Sequence, residues 1–217
     1  MRNDVLKAIE KEKVITIVRG VKRENLIPLA EAMYDGGIRL LEITYSANGS
    51  TSDEDTAENI RILSEHFKGR MFIGAGTVIK PEQVELTKKA GGQFSISPDT
   101  YVDVIKKTRE LDMVSMPGAL TPSEIQTAHR AGADFVKIFP ITTMGPKYLK
   151  AVKAPLSHVK LLAVGGIDEN NAAEYIKAGA AGLGVGGKLV NSSYIENGEF
   201  DKLTETAKKL VSAVNNI

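Results

Sequence analysis

The sequence predicts an α/β fold, a single-domain (β/α)₈ TIM barrel over residues 1–217. Eight short apolar runs alternate with longer helical patterns along the whole length, and their spacing is about one βα unit each. A helix end, a glycine and a strand also recur, as Asp35-Gly36-Gly37-Ile38, Ala90-Gly91-Gly92-Gln93, Ala131-Gly132-Ala133-Asp134 and Ala178-Gly179-Ala180-Ala181. Glycine there suits a left-handed helix C-cap. A doubly wound open sheet is the alternative, but it needs fewer strands or a clear crossover point, and the even spacing argues against it.

The candidate strands lie near residues 13–18, 38–45, 71–76, 93–97, 113–116, 134–139, 159–164 and 181–185. Helical patterns fill the gaps at residues 24–35, 53–67, 81–90, 100–110, 122–131, 146–152, 168–178 and 200–214. Pro81, Pro122 and Pro146 open three of them, and Glu24, Asp53 and Asp168 put an acid in the first turn of three others. Ser50 to Asp55 reads as a polar loop feeding the second helix, and no stretch is rich enough in Pro or Ser to be a linker.

With 217 residues, 42% hydrophobic and 25% charged, the chain can bury a sizeable core within one large domain. Lys and Arg total 28 against 27 Asp and Glu, so nothing suggests a nucleic acid partner, although small anions stay open. Cysteine is absent, which removes disulfides, thiolate nucleophiles and sulfur-ligated metals and fits a reducing compartment. The first residues lack an apolar signal core, and Ala178 to Gly187 is too short and glycine-rich to span a membrane. The expectation is a soluble cytoplasmic protein without membrane contact.

The stretch Asp134-Phe135-Val136-Lys137-Ile138-Phe139-Pro140 reads as a buried strand carrying one lysine. Burial lowers the pKa of an amine, and a neutral amine is a nucleophile able to form a Schiff base with a carbonyl. A lysine at a strand end can also simply reach solvent. Glu42, between Leu41 and Ile43 in the second strand, must be protonated, paired or functional, because an unpaired buried carboxylate is costly. An ion pair with Arg39 or Arg19 is the structural alternative.

Arg19 closes the first strand and would suit bidentate binding of a carboxylate or phosphate, or else a salt bridge in the helix layer. Thr77 ends the third strand, as a cap or as a hydroxyl donor to a substrate carboxylate. Barrel active sites lie at the C-terminal ends of the strands, where these residues fall. Counted from the first glycine of each repeat, Lys137 is five residues on and Glu42 six, so they share a face only if the doubled Gly36-Gly37 adds a residue.

Two glycine-rich loops, Val164-Gly165-Gly166-Ile167-Asp168 and Gly184-Val185-Gly186-Gly187-Lys188, follow the last strands. Loops in that place form the phosphate site of many barrels, because bare backbone N–H groups approach the anion. The run from Gly182 to Gly187 is superficially like a dinucleotide fingerprint but lacks a first βαβ unit around it. His66, His129 and His158 are scattered, and no pair has metal-ligand spacing, so no metal is expected.

Read together, LEIT, GAGTV, FSISP, MPG followed by TP, FVKIFP, GGI and GVGG, in this order over nearly the whole chain, resemble one family. It is the 2-keto-3-deoxy-6-phosphogluconate (KDPG) aldolase and 4-hydroxy-2-oxoglutarate (KHG) aldolase family. The resemblance implies a class I pyruvate aldolase that needs no metal or cofactor, usually a homotrimer, acting on a small keto acid. By position it makes Lys137 the Schiff-base lysine, Glu42 the general acid/base and Arg19 a substrate-binding residue. Thr77 and the turn ending at Pro98 match the pyruvate carboxylate pocket, and Gly165, Gly166, Gly186 and Gly187 the distal phosphate site.

Three departures bear on the aldehyde. Ser46 stands where many members carry an arginine, Val164 replaces a hydroxyl near the substrate, and Gly187 stands where a serine is often seen. KDPG is the first expectation, with the glyoxylate-yielding substrate or a stereoisomeric sugar acid next. A phosphate-sugar isomerase or epimerase, or a binding barrel without chemistry, stay as alternatives of other classes.

Overall fold

The computed structural model describes residues 2–216. Its nine parallel strands run β1 (Val14–Val18), β2 (Leu40–Thr44), β3 (Phe72–Gly76), β4 (Phe94–Ile96), β5 (Val114–Met116), β6 (Gly118–Ala119), β7 (Val136–Ile138), β8 (Leu161–Val164) and β9 (Gly182–Val185). They are ordered β5-β4-β3-β2-β1-β9-β8-β7-β6. The two ends of that order, β5 and β6, are consecutive pieces of one stave interrupted at Pro117, so the sheet closes into eight staves. Proline has no N–H for the ladder, which accounts for the break. Its carbonyl still accepts from Lys137 N at 2.8 Å, and Ala119 O accepts from Phe139 N at 3.1 Å. The eight-unit expectation therefore holds, with its fifth strand extended past Pro117.

Two cores lie on either side of this wall. The larger one packs the outward strand residues, such as Leu41, Ile43, Val136 and Ile138, against the surrounding helices. The smaller one fills the barrel with Ile15, Leu40, Phe94, Ile96, Val114, Met116, Phe135, Leu162 and Val164. Val5 and Ile9 complete it, and both belong to α1 (Arg2–Glu12), a helix absent from the sequence expectation. It ends just before β1 begins and so plugs the N-terminal mouth. The half-buried Asp134 carboxylate ties it down, accepting from Arg2 and, at 3.1 Å, from Arg109, while Ser115 N donates to it at 2.9 Å.

Helices α2 (Leu26–Asp35), α3 (Asp53–His66), α4 (Pro81–Lys89), α5 (Val102–Glu110), α6 (Pro122–Arg130), α7 (Gly145–Lys153), α8 (Ala172–Lys177), α9 (Ser192–Glu196) and α10 (Phe200–Asn215) form the outer layer. The helix expected from Asp168 starts later, at Ala172. There Asp168 accepts from Asn170 N at 2.9 Å and its own N–H donates to Asn171 Oδ1 at 3.0 Å, so a side-chain-bonded turn replaces the first helical turn.

The repeated glycines set which residues face inward. Gly37, Gly91, Gly132 and Gly179 have φ of 95°, 84°, 101° and 103°, the left-handed position that closes a helix. Five residues beyond each stand Glu42, Ile96, Lys137 and Gly184. The extra glycine, Gly36, is the helix cap with φ −76°, and a Cβ there would collide with Ala207 of α10. The doubled glycine thus adds one residue ahead of the strand, and Glu42 and Lys137 reach the same inward level.

Candidate active site

Lys137 on β7 is two residues above Phe135, which directly precedes that strand, and Glu42 is two above Leu40 on β2, so alternation lifts both off the apolar floor into the C-terminal mouth. They line one cavity of about 610 Å³. Lys137 is 7% exposed and Glu42 2%. Burial pushes the Lys137 amine below the usual lysine range; Glu42 opposes that shift and Arg19 adds to it. Burial likewise raises the Glu42 carboxyl to about 7, against the opposing pull of Lys137 and Arg19.

The two groups act on one another through space, and among the described residues no hydrogen bond joins them. Glu42 Oε2 is buried without a hydrogen-bond partner. An unpaired buried carboxylate oxygen is expensive, so the site keeps the acid protonated up to about pH 7, where both forms are present. The structural alternative, an ion pair of Glu42 with Arg39, does not form. Arg39 donates instead to the carbonyls of Tyr34 and Ile38, each at 2.8 Å.

Arg19, just past β1, donates through Nη2 to Thr77 Oγ1 at 2.9 Å. Thr77 has φ 54°, a left-handed conformation that costs a β-branched residue on the order of 1–3 kcal/mol. Such strain persists where the surroundings hold it, and here it turns the hydroxyl toward Arg19 at the cavity rim. Pro98 joins the lining from the loop after β4, packed so closely on β6 that a Cβ at Gly118 would collide with its carbonyl.

Gly165, Gly166, Gly186 and Gly187 line the far end of the same cavity. Gly165 and Gly166 have φ of 108° and 67°, and a Cβ on Gly166 would sit 2.5 Å from Thr142 Oγ1. All nine residues singled out from the sequence therefore meet in one place. The first four residues of the dinucleotide-like pattern, Gly182 to Val185, are instead strand β9; a Cβ on Gly184 would lie 2.8 Å from Val164, so that glycine serves barrel packing.

Side chains the sequence reading did not single out complete the wall. Ile17 and Phe139 follow from alternation, two residues beyond Ile15 and Lys137, and the Phe139 ring centroid lies 4.6 Å from Lys137 Nζ. Asp168 and Lys188, the last residues of the two glycine loops, pair at 2.6 Å across the mouth. Of the three departures, Val164 lines the cavity, Gly187 leaves open space, and Ser46 turns into its own loop, donating to Asn48 Oδ1 at 2.7 Å.

A buried amine and a buried carboxyl at the C-terminal mouth of a (β/α)₈ barrel define an enzyme of carbonyl chemistry, in which an imine draws electrons from a neighbouring carbon–carbon bond. The comparisons agree with that class. The chain belongs to the KDPG and KHG aldolase family, whose model matches residues 5–206, and is a metal-independent, Schiff-base carbon–carbon lyase. It is 36% identical over 177 residues to the 2-dehydro-3-deoxy-6-phosphogalactonate aldolase of Escherichia coli K12, covering 81% of this chain and 83% of that protein. It is 32% identical over 200 residues to the KHG/KDPG aldolase of the same organism, covering 91% and 90%. The KDPG aldolase of Legionella pneumophila, solved with pyruvate captured as a covalent carbinolamine, superposes with a TM-score of 0.84 at 28% identity, covering 94% and 97%.

Proposed function

We propose that this aldolase cleaves KDPG to pyruvate and glyceraldehyde 3-phosphate, with Lys137 as the nucleophile and Glu42 as the acid/base. The observation that carries the reading is that a buried amine and a buried carboxyl line one cavity, the amine depressed and the carboxyl raised by that burial. Neutral Lys137 adds to the C2 ketone, and protonated Glu42 gives its proton to the departing hydroxyl, so that water leaves and a protonated imine and the Glu42 carboxylate remain. The Glu42 carboxylate then takes the C4 hydroxyl proton; the C3–C4 electron pair moves into the imine, the aldehyde leaves, and an enamine remains. Glu42 returns the proton to C3, and hydrolysis frees pyruvate and Lys137. A carboxyl near 7 suits both duties.

Arg19 and Thr77 hold the substrate carboxylate, which keeps the reacting carbons aligned beside Lys137. Pro98 shapes that end of the pocket. The backbone amides of Gly165, Gly166, Gly186 and Gly187 take the distal phosphate, with Lys188 close by as a cation. Stereoisomeric 2-dehydro-3-deoxy-6-phosphogalactonate and the shorter 4-hydroxy-2-oxoglutarate are the nearest competing substrates, and Gly187 and Val164 are where the competition is decided. Family resemblance extends the reading to a cytoplasmic homotrimer, and sedimentation at three chain masses tests the assembly. Among the described residues no helix is long and apolar enough to cross a membrane.

Incubation with pyruvate and borohydride is expected to add one reduced adduct at Lys137, and Lys137→Ala to remove both adduct and pyruvate release. A fully active Lys137→Ala variant would sink the mechanism. A panel of 4-hydroxy-2-keto acids with and without a terminal phosphate then tests the glycine loops: equal kcat/KM across the pair would mean that they do not bind phosphate.

A further inference from the structure

Gly76 closes β3, the strand beside β2, and its backbone avoids the left-handed region, so any residue could adopt its conformation. What it lacks is room. A Cβ built there would lie 2.5 Å from Glu42 Cδ and 3.0 Å from Oε2, and closer still to Oε1. Every one of these atoms belongs to the reacting end of the acid. One inward step lower on the same strand, a Cβ at Gly74 would lie 2.5 Å from Phe94 Cγ, inside the space of the ring. The inward face of β3 is thus bare at two successive levels: Phe94 leans over it from β4 to build the floor, and Glu42 leans over it from β2 above.

We propose that Gly76 is a positioning residue whose bare Cα forms the slot that holds the Glu42 carboxyl against β3, out of contact with the Lys137 amine. Two buried groups that touched would exchange a proton, giving a carboxylate bonded to an ammonium. That pair has neither a free nucleophile nor a protonated acid. The charged groups facing Glu42 and Lys137 are one another and Arg19 past β1, with Asp168 and Lys188 farther out on the lining. A methyl in the slot drives the carboxyl off β3 toward Lys137 and Arg19, where Lys137 is held as ammonium. This role rests on the aldolase reading; the slot itself rests on geometry alone.

Gly76→Ala is expected to lower kcat for pyruvate release ten- to a hundredfold. It also moves the midpoint of the pH dependence of pyruvate–borohydride trapping upward by about one unit, a tenfold deficit at neutral pH. Adding Glu42→Asp, one methylene shorter, relieves the crowding, so Gly76→Ala/Glu42→Asp is no slower than Glu42→Asp alone. An unchanged pH profile, or a slow Gly76→Ala enzyme that Glu42→Asp does not relieve, overturns the proposal.

Thermal melting keeps the test open if Gly76→Ala folds poorly. The alanine is expected to cost several degrees with Glu42 in place and almost nothing in a Glu42→Ala background, and equal losses in both would overturn the slot. Absence of any Lys137 adduct in the wild type would instead count against the aldolase reading, leaving the melting cycle to judge the slot.

Discussion

The two mouths of the barrel are built from the same eight staves and do opposite work. At the N-terminal mouth Val5 and Ile9 of α1 complete an apolar core with Leu40, Phe135 and Leu162, and Asp134 clasps the plug through Arg2. At the C-terminal mouth the same inward columns carry Glu42 above Leu40 and Lys137 above Phe135. One inward step, about 6.6 Å along a strand, separates stability from chemistry. The floor is also part of the site. Burial over this apolar floor penalises charge, which pushes the amine down and the carboxyl up.

The largest break in this contrast is expected from Glu42→Gln, which keeps the shape of the upper column and removes its proton transfer. Pyruvate release should fall about 10²–10⁴-fold while the Lys137 adduct can still be trapped. Loss of less than tenfold would remove Glu42 from the acid/base role. The same variant reads the cost of burial. Because the Glu42 carboxyl titrates near 7 when folded and near 4.5 when unfolded, the folded state binds the extra proton between those values. Stability from this group therefore falls as pH rises through that window. Relative to Glu42→Gln, the wild type should lose a few degrees of Tm between pH 5 and pH 8; a constant difference would mean that the carboxyl is ordinary.

At the other mouth, Ile9→Ala is expected to cost about 2–4 kcal/mol of stability, since it deletes a fully buried plug residue. Chemical denaturation reads that loss, and kcat at 25 °C should stay within about twofold of wild type. A large fall in kcat without a fall in stability would show that the two mouths are not separable. The smallest effect belongs to Lys188→Met. Lys188 is exposed and its pairing with Asp168 is screened by solvent, so giving up that partner for a substrate phosphate costs little. KM for a phosphorylated substrate should rise about three- to tenfold, and an unphosphorylated substrate should show little change.

Much of this was legible in the residues. Eight apolar runs at βα spacing announced the barrel, and Lys137, Glu42, Arg19, Thr77, Pro98 and the four loop glycines all line the one cavity. The plug helix was missed because its buried face is narrow. Val5 and Ile9 lie one turn apart among Arg2, Asp4, Lys7, Glu10 and Lys11, too small an apolar stripe to stand out. The short β6 was missed because Pro117 hides the continuation of its stave. The face shared by Glu42 and Lys137 stayed open for a similar reason: letters do not distinguish the helix-capping Gly36 from the left-handed Gly37.

The sequence by itself determined the repeating unit, the buried amine and acid, and the two glycine loops, because these follow from local preferences: strand and helix periodicity, the cost of burying charge, and the freedom of glycine. Only the tertiary structure decided which side chains meet. Closure at Pro117 brought β7 round to complete the wall that also holds β2, and the register of β3 against β2 set Gly76 beside the Glu42 carboxyl. Contacts of that kind join residues far apart in the chain, and they depend on how closed the sheet is and how each strand is staggered. Those are properties of the whole barrel, which no single βα unit carries.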